Sequence, residues 1–149
     1  MTDRLGGAWK LIAWRRIGAD ETVNYPLGPD ARGQLIYAAN GRMAVQIMGA
    51  ARPALTTDDP LGGDMAARAG AYSTYLAYFG TYELDGGSVV HYIDGSLFPN
   101  WSGEKQVRPF TAEGDELVLR TPPMADDSGA TVVNELVWTR DESWPSPVH

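Results

Sequence analysis

The sequence predicts an all-β fold: an antiparallel meander of about eight to ten strands, closed as a barrel or stacked as a sandwich, with one α-helix near residues 64–78. Three observations predict it. Seven or eight runs rich in aromatic and β-branched residues are joined mainly by short turns. Three of those turns carry glycine signals: Asn40-Gly41, Asp85-Gly86-Gly87 and Gly114-Asp115. Only residues 62–80 break the pattern, being rich in Ala, Met and Leu with apolar residues at helical steps.

The first strand is AWKLIAWRRIG, residues 8–18, ending at Gly18. Residues 25–33 carry Pro26, Gly28 and Pro29 and read as a surface connection. The runs 33–39 and 42–48 flank Asn40-Gly41, a hairpin signal because both turn positions need positive φ. Residues 52–63 form a second Pro- and Gly-rich loop. In 62–80, Asp64 can cap a helix, Met65, Ala69, Tyr72, Leu76 and Phe79 fall on one face, and Gly80 follows the end. Tyr72, Tyr75 and Tyr78 recur at three-residue steps. Such a helix would pack on a barrel mouth with its rings buried and hydroxyls wet, or act as a lid. The runs 79–84 and 88–95 form a second hairpin, 105–113 and 116–121 a third, and 131–140 the last strand, preceded by the loop 121–129. The chain reads as one domain, residues 1–140, with a loose tail, 141–149. A meander must hide its edge strands; a closed barrel does so completely, and about eight strands leave room for side chains or one small ligand.

Composition narrows the function. The chain has 149 residues and no cysteine, which excludes disulfides, thiolate metal sites and cysteine nucleophiles and fits a reducing compartment. The N-terminus shows no apolar signal region, and no apolar run is long enough to span a bilayer. The expected location is therefore cytoplasmic, with no membrane partner. A formal net charge of −7 disfavours nucleic acid, which is held by basic surfaces. Both a monomer and a homodimer are compatible with the sequence. Five Trp, seven Tyr and three Phe suggest a lined cavity or a heavily aromatic core.

The opening GAWKLIAW, with Gly7, Ala8 and Trp9, resembles the Gly-X-Trp first strand of lipocalins. In that superfamily the tryptophan closes the barrel base under a basic residue from a late strand, a part that Arg140 could take here. The ordered set YPLG, GQLIY…NGRM, YFGTY, VVH…GSLFPNWSG and QVRPF resembles, more closely, the bacterial and fungal lipocalin-like domain proteins, from about Gly7 to Arg140. The resemblance implies a lipocalin-like barrel. It also implies a small molecule in the interior, since some relatives serve natural-product pathways as isomerases or cyclases. The fold alone supports binding and catalysis equally.

Strand alternation selects interior candidates. In 79–84, Thr81 and Glu83 suit water, so Gly80, Tyr82 and Leu84 face in. In 88–95, Asp94 suits water, so Val89, His91 and Ile93 face in. In 105–111, Phe110 faces in and takes Gln106 and Arg108 with it. His91, Arg108 and Tyr82 are the candidate catalytic residues: histidine ordinarily titrates near neutral pH, and a tyrosine or arginine beside it can stabilise an enolate or phenolate. A buried arginine needs acceptors: Glu83 and Glu135 are the acidic strand residues nearby, an anionic or carbonyl-bearing ligand is another partner, and the alternative is that Arg108 snorkels to the rim. Tyr37, Gln46, Met48, Tyr78, Trp101, Gln106, Asn134 and Trp138 are candidate ligand contacts, with Phe98 and Trp101 placed to cover the mouth. A β-bulge would reverse the facing, and Pro109 is the natural place for one. There is no phosphate-binding loop and no nucleophile elbow. One interior histidine without cysteine argues against zinc, and its arginine neighbour against haem, so neither metal nor cofactor is expected. The expected function is binding of a small, partly apolar organic molecule. It comes either with cofactor-independent isomerase or cyclase chemistry or as a non-catalytic binder or carrier. The remaining alternative is a structural or interaction domain with a filled barrel.

Overall fold

A computed structural model describes residues 4–142; the tail from 143 onward, with His149, lies outside the described residues. Ten strands run in chain order: β1 (Gly7–Gly18), β2 (Val23–Asn24), β3 (Arg32–Tyr37), β4 (Arg42–Met48), β5 (Tyr75–Asp85), β6 (Ser88–Ser96), β7 (Lys105–Glu113), β8 (Glu116–Arg120), β9 (Met124–Ala125) and β10 (Thr131–Arg140). Neighbours in sequence pair antiparallel, and β1 pairs with β3 on one side and β10 on the other, closing an eight-stranded barrel with β2 and β9 as short flaps. All three expected hairpins form at their glycine turns, where Gly41, Gly86 and Gly114 have positive φ.

The helix differs from its expected extent. It runs from Met65 to Ser73 as α1, capped by the Asp64 carboxylate accepting from the Ala67 N–H at 2.9 Å, and stops at Thr74. Residues Tyr75–Phe79, expected in the helix, begin β5 instead. The sheet overrides the local repeat: Tyr75 to Thr81 pair residue for residue with Met48 to Arg42, and β5 supplies aromatic residues to both faces of the sheet. The three tyrosines therefore part company. Tyr72 stays on α1, 47% exposed, while Tyr78 points into the barrel and is buried. No residue of α1 is buried. Its end is held by Arg52, which donates to the Ala71 carbonyl at 2.9 Å and the Thr74 hydroxyl at 3.0 Å and lies over the Tyr75 ring.

Two bulges set which side chains enter. The first is in β1, where Ile12 is extra against β10. It leaves Trp9 and Leu11 inside, turns Ile12 out, and brings Trp14 and Arg16 inside above it. The second is in β6 at Asp94, opposite Phe79 and Gly80. No bulge occurs at Pro109: β6 and β7 pair without a shift from Ser88↔Pro109 to Tyr92↔Lys105, so Gln106, Arg108 and Phe110 all face inward as expected. Leu84, expected inside, is exposed near the end of β5.

The lower half of the barrel is solid. Leu5, Trp9, Tyr37, Met43, Val89, Phe110 and Leu117 fill it. Trp9 donates its indole N–H to the Leu5 carbonyl at 2.8 Å, and the Arg140 guanidinium sits 4.2 Å from the Trp9 ring centroid. Arg140 also donates to the Gly6 and Arg4 carbonyls at 2.8 and 3.1 Å, tying the N-terminal segment across the base. Among the described residues no helix is long and apolar enough to cross a membrane.

Candidate ligand-binding cavity

Above this plug the barrel is hollow. A cavity of about 370 Å³ opens between the rim of β1, the Thr121–Met124 segment and the start of β5. Leu35, Val45, Ile47, Leu119 and Leu136 make its apolar walls, with Leu76, Pro122, Pro123 and Met124 towards the opening. The polar groups are few: Tyr78, His91, Gln106, Arg108, Trp138 and Asn134 inside, Arg16 and Thr121 near the rim. Mostly apolar walls with a few convergent polar groups are the usual form of a small-molecule site.

His91 comes in on β6, is 1% exposed, and is bonded at both ring nitrogens. Its Nε2 lies 2.6 Å from the Tyr37 hydroxyl and its Nδ1 2.6 Å from the Tyr78 hydroxyl. Burial pushes its pKa from the usual 6.5 down to about 3, with the nearby Arg108 cation adding to the effect. The imidazole is therefore neutral, carrying one N–H, so one tyrosine oxygen accepts a hydrogen bond from that N–H and the other tyrosine donates its O–H to the bare nitrogen. Burial also raises the Tyr78 phenol, against a smaller opposing pull from Arg108. This replaces the near-neutral titration expected for His91: it is a fixed hydrogen-bond hub, and both it and Tyr78 line the cavity.

Arg108 comes in on β7, one inward position deeper than Gln106, and is 8% exposed. Its one hydrogen bond runs to the Val107 carbonyl at a long 3.4 Å, and it makes no ion pair among the described residues. Trp138 is fully buried, and its indole N–H has no acceptor among the described residues. Asn134 is held rigidly: its carbonyl oxygen accepts from the Trp14 N–H at 2.9 Å and the Arg16 Nε–H at 3.0 Å. Its amide nitrogen faces the Met124 sulfur at 3.4 Å. Trp101 closes the upper wall, edge-on to Tyr78 at 5.8 Å and to Phe98 at 5.4 Å, as the sequence suggests for the Phe98–Trp101 pair.

The structure thus brings together Tyr78, His91, Trp101, Gln106, Arg108, Asn134 and Trp138 around one cavity. Four expected residues lie elsewhere. Tyr37 is buried beneath the cavity, reaching it only through His91. Tyr82 is the cross-strand partner of His91, but its ring packs on Tyr37 at 4.4 Å and its hydroxyl reaches the Ala38 carbonyl in the lower barrel. Gln46 and Met48 face outward, Gln46 bonding Gln34 across the outer surface at 2.9 Å. The alternation of β4 puts Met43, Val45 and Ile47 inside, the apolar set on that strand. Sequence reasoning misses the apolar wall of Leu35, Val45, Ile47, Leu76, Leu119 and Leu136, and also Trp14, Arg16 and the rim residues Thr121–Met124. Simple alternation from Trp9 points Ala13 and Arg15 inward, and only the bulge at Ile12 reverses it.

A match to known proteins agrees with this architecture. The family model described as a lipocalin-like domain matches residues 6–141, from the segment crossing the base to just past β10. Searches of curated proteins and of solved structures return no match. Closed barrel, Trp9–Arg140 base and the match over residues 6–141 together place the chain: it belongs to the lipocalin-like domain family.

Proposed function

We propose that this barrel binds a small, partly apolar organic molecule in its upper cavity. The observation that carries the reading is the hollow itself: about 370 Å³ lies within the roughly 300–1,000 Å³ range of ligand sites, and the barrel does not fill it with its own side chains. That argues against a purely structural role. The walls would take the ligand's apolar body, and Arg108, Gln106 and Tyr78 would orient its polar end. Trp14, Trp101 and Trp138 line the space, so occupancy should change intrinsic fluorescence. Titration with small amphiphiles should give a saturable change; a linear response matching free tryptophan would overturn the reading.

One observation favours a second reading, cofactor-independent isomerisation or cyclisation of a biosynthetic intermediate. The Tyr78 hydroxyl is backed by a neutral imidazole that can donate or accept, and it lies close to the Arg108 cation. Such a group can polarise a carbonyl while the cavity shape holds a productive conformer. Ligand released from the native protein and returned to fresh protein should be converted to an isomer. His91→Ala and Arg108→Ala should abolish the conversion while keeping the fold. Recovery of unchanged ligand would leave binding as the whole function.

A further inference from the structure

We infer that the cavity selects organic monoanions: a carboxylate, enolate or phenolate head seated against Arg108, with an apolar body reaching towards the rim. This rests on the binding reading above and narrows it to a ligand class.

Charge is the first ground. The chain carries 19 acidic against 12 basic residues, yet among the described residues the cavity is lined by two arginines and no carboxylate. An acidic protein has placed its cations inward at this one place. The two arginines are not equivalent. Arg16, at the rim, is anchored by Asn134 and faces the Asp126 carboxylate, which the Ser128 hydroxyl and, more weakly, Arg16 itself hold below its usual range. Arg108 meets no carboxylate among the described residues. A buried guanidinium without a counter-charge is costly, and a bound anion removes that cost.

Hydrogen-bonding capacity is the second ground. Arg108 can only donate, and among the described residues its one hydrogen bond is the long 3.4 Å contact to the Val107 carbonyl, which leaves most of its N–H groups to a ligand. Tyr78 and Gln106 can donate as well. The missing partner is an acceptor, and an oxyanion supplies several lone pairs at once. One uncompensated cation at depth matches one negative charge. The remaining walls, Leu35, Val45, Leu119 and Leu136 with Met124 above, ask for an apolar body.

The test uses matched probes in the intact chain at neutral pH: octanoate against octan-1-ol, cinnamate against cinnamyl alcohol, and 1-naphthoate against 1-naphthalenemethanol. Calorimetric titration should give each acid at least roughly tenfold tighter binding than its alcohol. Arg108→Gln should erase that preference by weakening the acids at least roughly tenfold more than the alcohols, and Arg108→Lys, which keeps the charge, should retain part of it. Equal binding of acids and alcohols would overturn anion selectivity and leave the binding reading intact. Binding of none of the compounds would overturn both. A preference that survives in a folded Arg108→Gln would overturn the assignment to Arg108. Should Arg108→Gln fail to fold, the acid–alcohol comparison in the unmodified chain and in Arg108→Lys still decides.

Discussion

His91 stays neutral because burial disfavours its charged form and the Arg108 cation stands nearby. Its folded pKa, about 3, lies below the ordinary 6.5, so between those values the unfolded chain binds a proton that the folded chain does not. Stability attributable to His91 is therefore complete above about pH 6.5 and falls as pH drops towards 3, by up to about 1.4 kcal/mol per unit. Urea unfolding at pH 7 and pH 5 should show this loss, and His91→Gln should lose less over the same interval; equal slopes would contradict a buried neutral imidazole. His91→Ala should cost about 2–4 kcal/mol at pH 7, because it removes the hydrogen bond to Tyr78 and opens a void. Arg108 should behave in the opposite way. Arg108→Met replaces an uncompensated buried cation by an apolar chain of similar reach, and should stabilise the ligand-free protein by about 1–3 kcal/mol. A variant less stable than the parent would show that Arg108 is a structural element and not a ligand group.

At the scale of elements, facing was legible where a strand carries an unambiguous polar or apolar marker: β6 reads correctly although it is bulged at Asp94, and β4 misreads although it pairs without a shift. On β6 and β7 the solvent-loving Asp94 and the apolar Phe110 fix the parity, and His91, Gln106 and Arg108 follow correctly. On β1 the extra residue Ile12 shows no local signature such as glycine or proline, so Trp14 and Arg16 are missed. On β4 a polar residue beside two methionines looks like a binding face, yet valine and isoleucine claim the interior. The end of the helix was illegible because Tyr75–Phe79 satisfies both periods, and pairing with β4, which is non-local, decides it. Two predictions belong here. A Cβ on Gly80 would overlap the Tyr92 carbonyl oxygen at the β6 bulge, so Gly80→Ala should lower the melting temperature markedly; a neutral effect would disprove the close approach. Because α1 buries nothing, its amides should exchange with deuterium far faster than those of β6. Asp64→Ala should speed them further without changing global stability.

The whole molecule divides along its axis. The base is held by Trp9, Arg140 and the N-terminal segment; the upper half is open and lined for a ligand. Stability and function thus occupy different ends. Arg140→Ala should cost about 1–2 kcal/mol, from one cation–π contact and two hydrogen bonds, and leave ligand affinity unchanged, as a melt and a titration on the same sample would show. The central claim is that the upper cavity is occupied in use. Mass spectrometry of the chain purified under non-denaturing conditions, then incubated with excess octanoate, tests it most directly. A one-to-one complex heavier than the 16.2 kDa chain, lost on denaturation and diminished in Arg108→Gln, is the predicted result. A bare chain under every condition, with the fold intact, would contradict it.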